Sequence, residues 1–317
     1  MKLIFLVLLM ALLINGIYAK ETPKDWSIIP ILNYEYLSFS EQRIHSPGVG
    51  FMFTKGNMDP PLWESPDNLS IMGIAKQYYI QDSLNGYSEL YYAINAMADK
   101  RMDRHSIFGA VISETDKPFY GGLRSFIVGG GYGYEFIRRE NMSLLLGINL
   151  GVMDFGIELP NGKPLPVMLL PRVNFNVKTS FLDFSFMFLN KPEFYFTFFP
   201  SSRIRLVNEA VLLMSFRDTR DILFDTMLMY RFFSEDSKMG DFAGVGVGFK
   251  NGGFGFDLAE KNKSYDLLYH SVYGLIDLSF LQIRGGYLFN GIETYDLDKR
   301  KNIGNGFFIN VMMGWQF

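Results

Sequence analysis

The amino-acid sequence predicts an all-β protein, a transmembrane antiparallel up-and-down β-barrel of about 14–16 strands. Three observations lead to this fold class. Long segments alternate apolar residues with polar or small ones, the composition is rich in aromatic residues and glycine, and after an apolar N-terminal segment no stretch reaches the length of a membrane helix. A tilted strand crosses a bilayer core with about 9 to 11 residues, so strands of the observed length can span it.

The first residues have the pattern of a secretory signal peptide. Lys2 supplies a short positive region, Leu3 to Ile14 is an uncharged apolar run, and Ala19 is a small residue ahead of a polar segment. The run is shorter than the about 20 residues of a membrane helix, which favours cleavage over retention as an anchor. We therefore expect residues 1–19 to be a cleaved signal peptide and residues 20–317 to form a single barrel domain.

The composition narrows the classes of function. The chain of 317 residues contains 31 Phe, 18 Tyr and 31 Gly, only 20% of its residues are charged, and its net charge is −3. A slightly negative chain is not expected to bind nucleic acid. The absence of cysteine excludes disulfides and thiolate metal sites. The glycines at 129–133 and 244–248 lie inside predicted strands and complete no phosphate-binding pattern, so we expect no cofactor and no metal.

Alternation is clearest in the last segment of the chain. Apolar residues occupy every second position from Phe307 to Phe317, and mixed, small and polar residues lie between them. The same period recurs in five other segments, which comprise residues 172–178, 203–216, 221–233, 243–250 and 281–291. Aromatic residues near the strand ends of the apolar faces predict an outer aromatic girdle.

Sixteen strands are predicted, with fourteen as the alternative. Asn251-Gly252 is a two-residue hairpin signal and separates two of them. Residues 193–199 are interpreted either as a further strand or as part of an outer loop. Short reversals alternate with longer polar segments, as in barrels with short turns on one side of the membrane. The predicted strands are 27–39, 47–54, 69–80, 88–98, 106–113, 123–136, 142–153, 165–178, 182–189, 203–216, 221–233, 241–250, 252–258, 266–279, 280–292 and 306–317.

The closing residues Gly314-Trp315-Gln316-Phe317 carry a resemblance to a known class of proteins. A terminal aromatic residue with apolar residues at every second position upstream resembles the C-terminal assembly signal of bacterial outer-membrane β-barrel proteins. The resemblance implies that Trp315 and Phe317 form this signal. It also implies a location in the bacterial outer membrane, surrounded by its lipid, with the barrel-assembly machinery and periplasmic chaperones as partners.

Charged residues on the inward faces are the candidate functional residues, and their signs are mixed. A barrel of this size is wide enough for a channel but can also be plugged. The leading expectation is a porin-like channel for passive passage of ions or small solutes. The alternative is a sealed barrel whose surface loops serve adhesion or partner binding. The predicted pore lining comprises Arg172, Lys178, Arg203, Arg205, Glu209, Asp221, Asp225, Arg231 and Arg284.

A lipid-modifying outer-membrane enzyme is the third hypothesis. Only three histidines are present, and His270 is directly followed by Ser271. Adjacent residues of a strand point to opposite faces, which separates this pair beyond the reach that Ser–His catalysis needs. We therefore expect no enzymatic activity and no catalytic residue, and we expect His270 to be an interfacial residue beside Tyr269 and Tyr273.

Overall fold

A computed structural model of the chain is a closed barrel of sixteen antiparallel strands, which confirms the predicted fold class and the larger strand number. Among the described residues no helix is long and apolar enough to cross a membrane. The predicted signal peptide and the predicted assembly residues Trp315 and Phe317 lie outside the described residues. The structure describes residues 26–56, 67–81, 87–118, 120, 126–152, 167–188, 192–199, 201, 203–214, 220–232, 243–260, 263–278, 280–296 and 299–314.

The strands follow one another around the barrel in chain order, and each pairs with its sequence neighbours. The barrel closes where β1 pairs with β16, with Ile31 opposite Gly314 and Phe39 opposite Gly306. The strands are β1 Trp26–Phe39, β2 Arg43–Gly56, β3 Asp67–Gln81, β4 Leu90–Met102, β5 His105–Thr115, β6 Ile127–Arg139, β7 Met142–Val152, β8 Val167–Lys178, β9 Leu182–Phe188, β10 Pro192–Phe198, β11 Ile204–Met214, β12 Arg220–Arg231, β13 Ala243–Asp257, β14 Ser264–Leu278, β15 Leu281–Tyr295 and β16 Lys299–Gly314.

Two differences from the predicted strands compensate each other in the count. The prediction of a hairpin at Asn251-Gly252 is wrong, because β13 runs through it without interruption and pairs with β14 over its whole length. The Asn251 side chain instead donates a hydrogen bond to the Ile222 carbonyl on the adjacent strand (2.7 Å). Residues 193–199, for which the sequence allows a strand or a loop, lie almost entirely in β10, which spans Pro192–Phe198 between β9 and β11.

Every second side chain of each strand faces outward, and these outward positions are mainly apolar. Ile148 on β7, Leu169 on β8 and Val247 on β13 are 60%, 67% and 63% exposed. Exposed apolar side chains arranged in a belt around a closed barrel are what a lipid environment requires. Asn208 and Thr226 are polar outward residues on neighbouring strands. They satisfy part of each other's hydrogen-bonding capacity, since the Thr226 hydroxyl donates to the Asn208 amide oxygen (2.9 Å).

The two ends of the barrel differ, and two names distinguish them here. The N-terminal rim is where β1 begins and β16 ends, and the distal rim is the opposite end. Outward aromatic residues near the N-terminal rim include Trp26 against Phe53, Phe181 against Phe198, and Tyr230 against Phe232. Others lie further along the strands, such as Tyr36 against Phe307 and Phe224 against Phe249, so the aromatics are not confined to one girdle. The predicted alternation of short reversals with longer segments holds only in part, because the strand bounds place connections of both lengths at each rim.

Candidate functional site: the barrel lumen

The lumen is bridged at the distal rim by aromatic side chains from strands that are not neighbours. Tyr78 of β3 packs on Phe254 and Phe256 of β13, with ring centroids 4.6 and 5.1 Å away. Tyr91 of β4 stacks on Phe256 at 4.8 Å and on Tyr265 of β14 at 5.3 Å. We call these five residues the aromatic bridge.

The bridge joins walls that lie nearly opposite each other. Between β4 and β13 the barrel has six strands on one side (β14–β16 and β1–β3) and eight on the other (β5–β12). Strands about 4.8 Å apart and tilted by about 40° would give a circular sixteen-strand barrel a diameter of roughly 30 Å. Two aromatic side chains do not cover that distance, so the walls are drawn together at this rim.

Connections next to the bridge hold the same two walls. The Ala259 backbone amide, after β13, donates to the Asp116 carboxylate, after β5 (2.9 Å). The Lys263 ammonium lies 5.6 Å from the centroid of the Tyr87 ring, before β4. These contacts extend the bridge from the strands into the rim, so the junction does not depend on ring packing alone.

The turn after β15 anchors Tyr87 from the other direction. The Tyr87 ring packs edge-on against Tyr295 with centroids 4.6 Å apart. Partial burial opposes ionisation of the nearby Asp296 carboxyl, but hydrogen bonds from Tyr87, Lys299 and the Ser264 amide outweigh this and lower its pKa. Asp296 therefore remains a carboxylate in neutral solution and keeps its hydrogen-bond partners.

On the six-strand side of the bridge the lumen is filled near the distal rim. Inward apolar side chains are fully or almost fully buried there; they include Leu37, Ile44, Tyr269, Leu288 and Ile303. Other inward residues of these strands, such as Glu35 and Lys76, are only partly buried. Glu293 is buried among the apolar side chains and accepts hydrogen bonds from the hydroxyls of Tyr265 (2.8 Å) and Tyr295 (3.2 Å). We call this side the closed compartment; near the distal rim it is packed like a protein core, and two tyrosines satisfy the buried Glu293.

On the eight-strand side the inward surface meets solvent. Lys178 on β8 and Glu209 on β11 point inward and are exposed. Tyr195 on β10 points inward and is 38% exposed. Asn174 and Asn176, also inward on β8, are partly exposed and hydrogen-bonded to each other (2.9 Å). We call this side the open compartment; its wall is largely polar from β8 to β11.

Two predicted lining residues form an ion pair at the boundary between the compartments. The Arg284 guanidinium of β15 donates to Asp225 of β12, with Nη1 to Oδ2 at 2.9 Å. The Tyr273 hydroxyl donates to the other carboxylate oxygen of Asp225. Arg284 also donates to Gln282 (3.0 Å) and lies 5.7 Å from the Tyr273 ring centroid. Both charges are therefore partnered and partly buried.

Arg172 makes a second charged contact on the opposite wall. Its guanidinium pairs with Asp99 of β4 and donates to the Ser106 hydroxyl of β5 (2.8 Å). Ser106 in turn donates to both oxygens of Asp99 (2.9 and 3.0 Å). Arg172 is only 5% exposed, so its charge is satisfied by these partners rather than by water.

The other predicted lining residues are more dispersed. Arg205 points inward, and its guanidinium lies 4.9 Å from the Phe199 ring centroid. Arg231 lies on the inward face at the end of β12, opposite Gly244. Arg203 precedes β11 at the N-terminal rim and donates to the hydroxyl of the outward Tyr230 (3.3 Å), so its guanidinium does not point into the lumen. The side chain of Asp221 lies outside the described residues.

The histidines all lie on the outer face. His45 contacts the Tyr34 hydroxyl (2.8 Å) and His105 the Tyr132 hydroxyl (2.5 Å). His270 stacks on the outward Phe289 with centroids 5.5 Å apart. His270 and Ser271 lie on opposite faces, as expected, but Tyr269 and Tyr273 point into the barrel and do not accompany His270.

Sequence reasoning missed the aromatic bridge. Its residues have no predicted function, because aromatics near strand ends are expected in the outer girdle. The alternation itself contains the signal, since Tyr265, Tyr269 and Tyr273 share one parity on β14 while Leu268, Val272 and Ile276 share the other. A strand that is apolar on both faces indicates lipid on one side and a packed interior on the other.

A closed barrel with an apolar outer belt and a partly polar interior is a transmembrane β-barrel. The sequence matches no protein-family model. A comparison with curated proteins likewise finds no match.

Several solved structures align with most of this chain. OprD of Pseudomonas aeruginosa aligns over 95% of this chain and 97% of its own, with 10% identity and a TM-score of 0.40. OpdQ of the same organism aligns over 94% and 99%, with 10% identity and a TM-score of 0.38. OccAB3 of Acinetobacter baumannii aligns over 92% and 99%, with 9% identity and a TM-score of 0.37.

Proposed function

We propose that this protein is a porin-like channel of a bacterial outer membrane, which passes ions or small polar solutes passively through the open compartment. One observation carries the proposal. Inside a closed barrel of sixteen strands, the wall from β8 to β11 presents polar inward side chains that are exposed or partly exposed, including Lys178, Tyr195 and Glu209. A polar, solvated wall inside a membrane barrel is the surface along which a hydrated solute moves.

The apolar outer face of the barrel supports its proposed location in the membrane. The outward apolar side chains form a belt that includes many aromatic residues. Soluble barrels do not expose apolar surface on this scale. The apolar N-terminal segment and the closing aromatic residues are the pattern of an exported barrel, so outer-membrane lipid, the assembly machinery and periplasmic chaperones remain the proposed partners.

Planar-bilayer conductance of the purified protein tests the proposed function. Insertion of single barrels into a bilayer in potassium chloride should give uniform current steps. A folded barrel that inserts but gives no current would contradict the channel. Insertion has to be shown independently, by protection of the barrel from added protease in vesicles.

The sealed barrel is the second candidate, and the aromatic bridge is the observation that favours it. The bridge and the closed compartment fill much of the distal rim. If they block the lumen completely, no solute can cross the barrel, and the surface loops would be the functional part. The absence of current from inserted protein would select this candidate over the channel.

A further inference from the structure

We infer that the aromatic bridge divides the lumen permanently and sets the size limit for solutes, by confining passage to the open compartment. This inference rests on the proposed channel function and names the residues that determine its selectivity for size. The two walls meet through Tyr78 and Tyr91 on one side and Phe254, Phe256 and Tyr265 on the other.

Burial argues that the bridge is a fixed wall. Tyr91 and Tyr265 are completely buried, and Phe256 is 3% exposed. Opening the junction would transfer these rings from a packed interior into water, which is unfavourable in proportion to the apolar area exposed. Residues behind the bridge, including Leu37, Ile44 and Tyr269, are buried as well, so the rings cannot swing aside without displacing them.

Ring packing, and not hydroxyl chemistry, holds the central contact. Within the described part of the chain the Tyr91 hydroxyl has no hydrogen-bond partner. Its ring lies at 20° to Phe256 and at 23° to Tyr265, so the three rings are stacked across the lumen. Loss of the Tyr91 hydroxyl should therefore leave the division intact, whereas loss of the ring should not.

The geometry also predicts what removal would release. Without the bridge, the walls near β4 and β13 lose the contact that draws them together, and the barrel can approach the roughly 30 Å circular diameter expected for sixteen strands. The cross-sectional area open to solutes would then increase at the centre of the distal rim. The ion pairs of Asp225 and Arg172 do not lie in the bridge, so the charges along the path should stay in place.

The test is single-channel conductance of the full barrel carrying Tyr91→Ala and Phe256→Ala together, with neutral polymers of graded size to measure the exclusion limit. We expect conductance to rise by about twofold or more and larger polymers to enter, as for a wider barrel. The matched control is Phe289→Ala with Phe307→Ala, which removes two rings from the outward face and should change neither quantity. Tyr91→Phe should behave as the unaltered protein.

The outcomes separate this inference from the proposed function. If the unaltered protein conducts and the bridge variant conducts equally with the same exclusion limit, the inference is overturned and the channel stands. If the unaltered protein is silent and the bridge variant conducts, the bridge is a complete seal, so the channel fails and with it the inferred confinement of passage to the open compartment. If neither the unaltered protein nor the bridge variant conducts, both the inference and the channel are overturned.

A milder variant is available if the double variant fails to fold. Phe256→Leu shortens one side of the stack, is measured in its place, and is expected to raise the exclusion limit.

Discussion

At the scale of single residues, the face on which a side chain lies decides its environment. Ile148 lies near the middle of β7 and points outward, and its cross-strand neighbours Tyr132 and Pro171 point the same way. Asn174 of β8 points inward and accepts a hydrogen bond from Asn176. A charge introduced at either position probes a different solvent, because one face meets lipid and the other meets a polar lumen.

Replacement of Ile148 by Arg should destabilise the barrel by about 2 to 4 kcal/mol, since a cation near the bilayer midplane loses its hydration. Asn174→Arg should cost far less, because a long cationic side chain in the open compartment remains in water. The measurement is urea-dependent unfolding of both variants in lipid vesicles. Equal costs at the two positions would contradict the assignment of the faces.

Such facing can be predicted from the sequence alone, because a period of two is imposed by the strand backbone. The alternation predicts an inward position for Arg172, Asp225 and Arg284, and all three lie on the inward face. Their partners cannot be predicted in this way, since Asp99 and Asp225 reach their arginines from strands that are distant in sequence. Alternation gives the direction of a side chain and not the identity of what it meets.

At the scale of elements, β13 shows how a glycine can mislead a sequence-based prediction. Its inward glycines leave room for tyrosine rings of β14: a Cβ on Gly252 would lie 2.8 Å from Tyr269, and one on Gly248 would collide with the Tyr273 ring and hydroxyl. The Asn251-Gly252 pair indicates a turn by its local preference, but here the glycine is required by a neighbouring ring. Local turn chemistry could not reveal this, because the ring belongs to another strand.

Gly248→Ala should therefore push Tyr273 away from Asp225 and destabilise the barrel by about 1 to 3 kcal/mol, as overpacking does. The matched control is Gly274→Ala on β14, where an added Cβ would meet only the Gly246 carbonyl oxygen at 4.0 Å. Urea-dependent unfolding compares the two. A loss of stability at Gly274 as large as that at Gly248 would show that backbone freedom, and not the ring, explains both glycines.

At the scale of the whole molecule, closure and strand number are predictable but the cross-section is not. The predicted number of sixteen holds because two errors cancel: the prediction divides β13 into two strands and does not count β10. The flattening at the distal rim depends on Tyr91 meeting Phe256 across the lumen, a contact between residues 165 positions apart in the chain (256 − 91). No local pattern contains that information.

The closed hydrogen-bond ladder predicts heat-modifiable migration on a detergent gel. Unboiled barrel should run as a compact species and boiled protein as an extended one, because a closed sheet has no free edge from which to unravel. The comparison of the two samples by gel, with circular dichroism on the unboiled one, is the check. Identical migration together with a helical spectrum would contradict the barrel.

The seam between β1 and β16 also governs the order in which the molecule can form. Every other pairing joins strands that are consecutive in the chain, but Ile31 and Gly314 are separated by 283 residues (314 − 31). Bringing the ends of so long a segment together costs roughly 5 kcal/mol of chain entropy. The local hairpins can zip early, whereas the seam waits for the final strand. During that interval two strand edges stay unpaired, so the half-built sheet is the aggregation-prone species in the life of this protein.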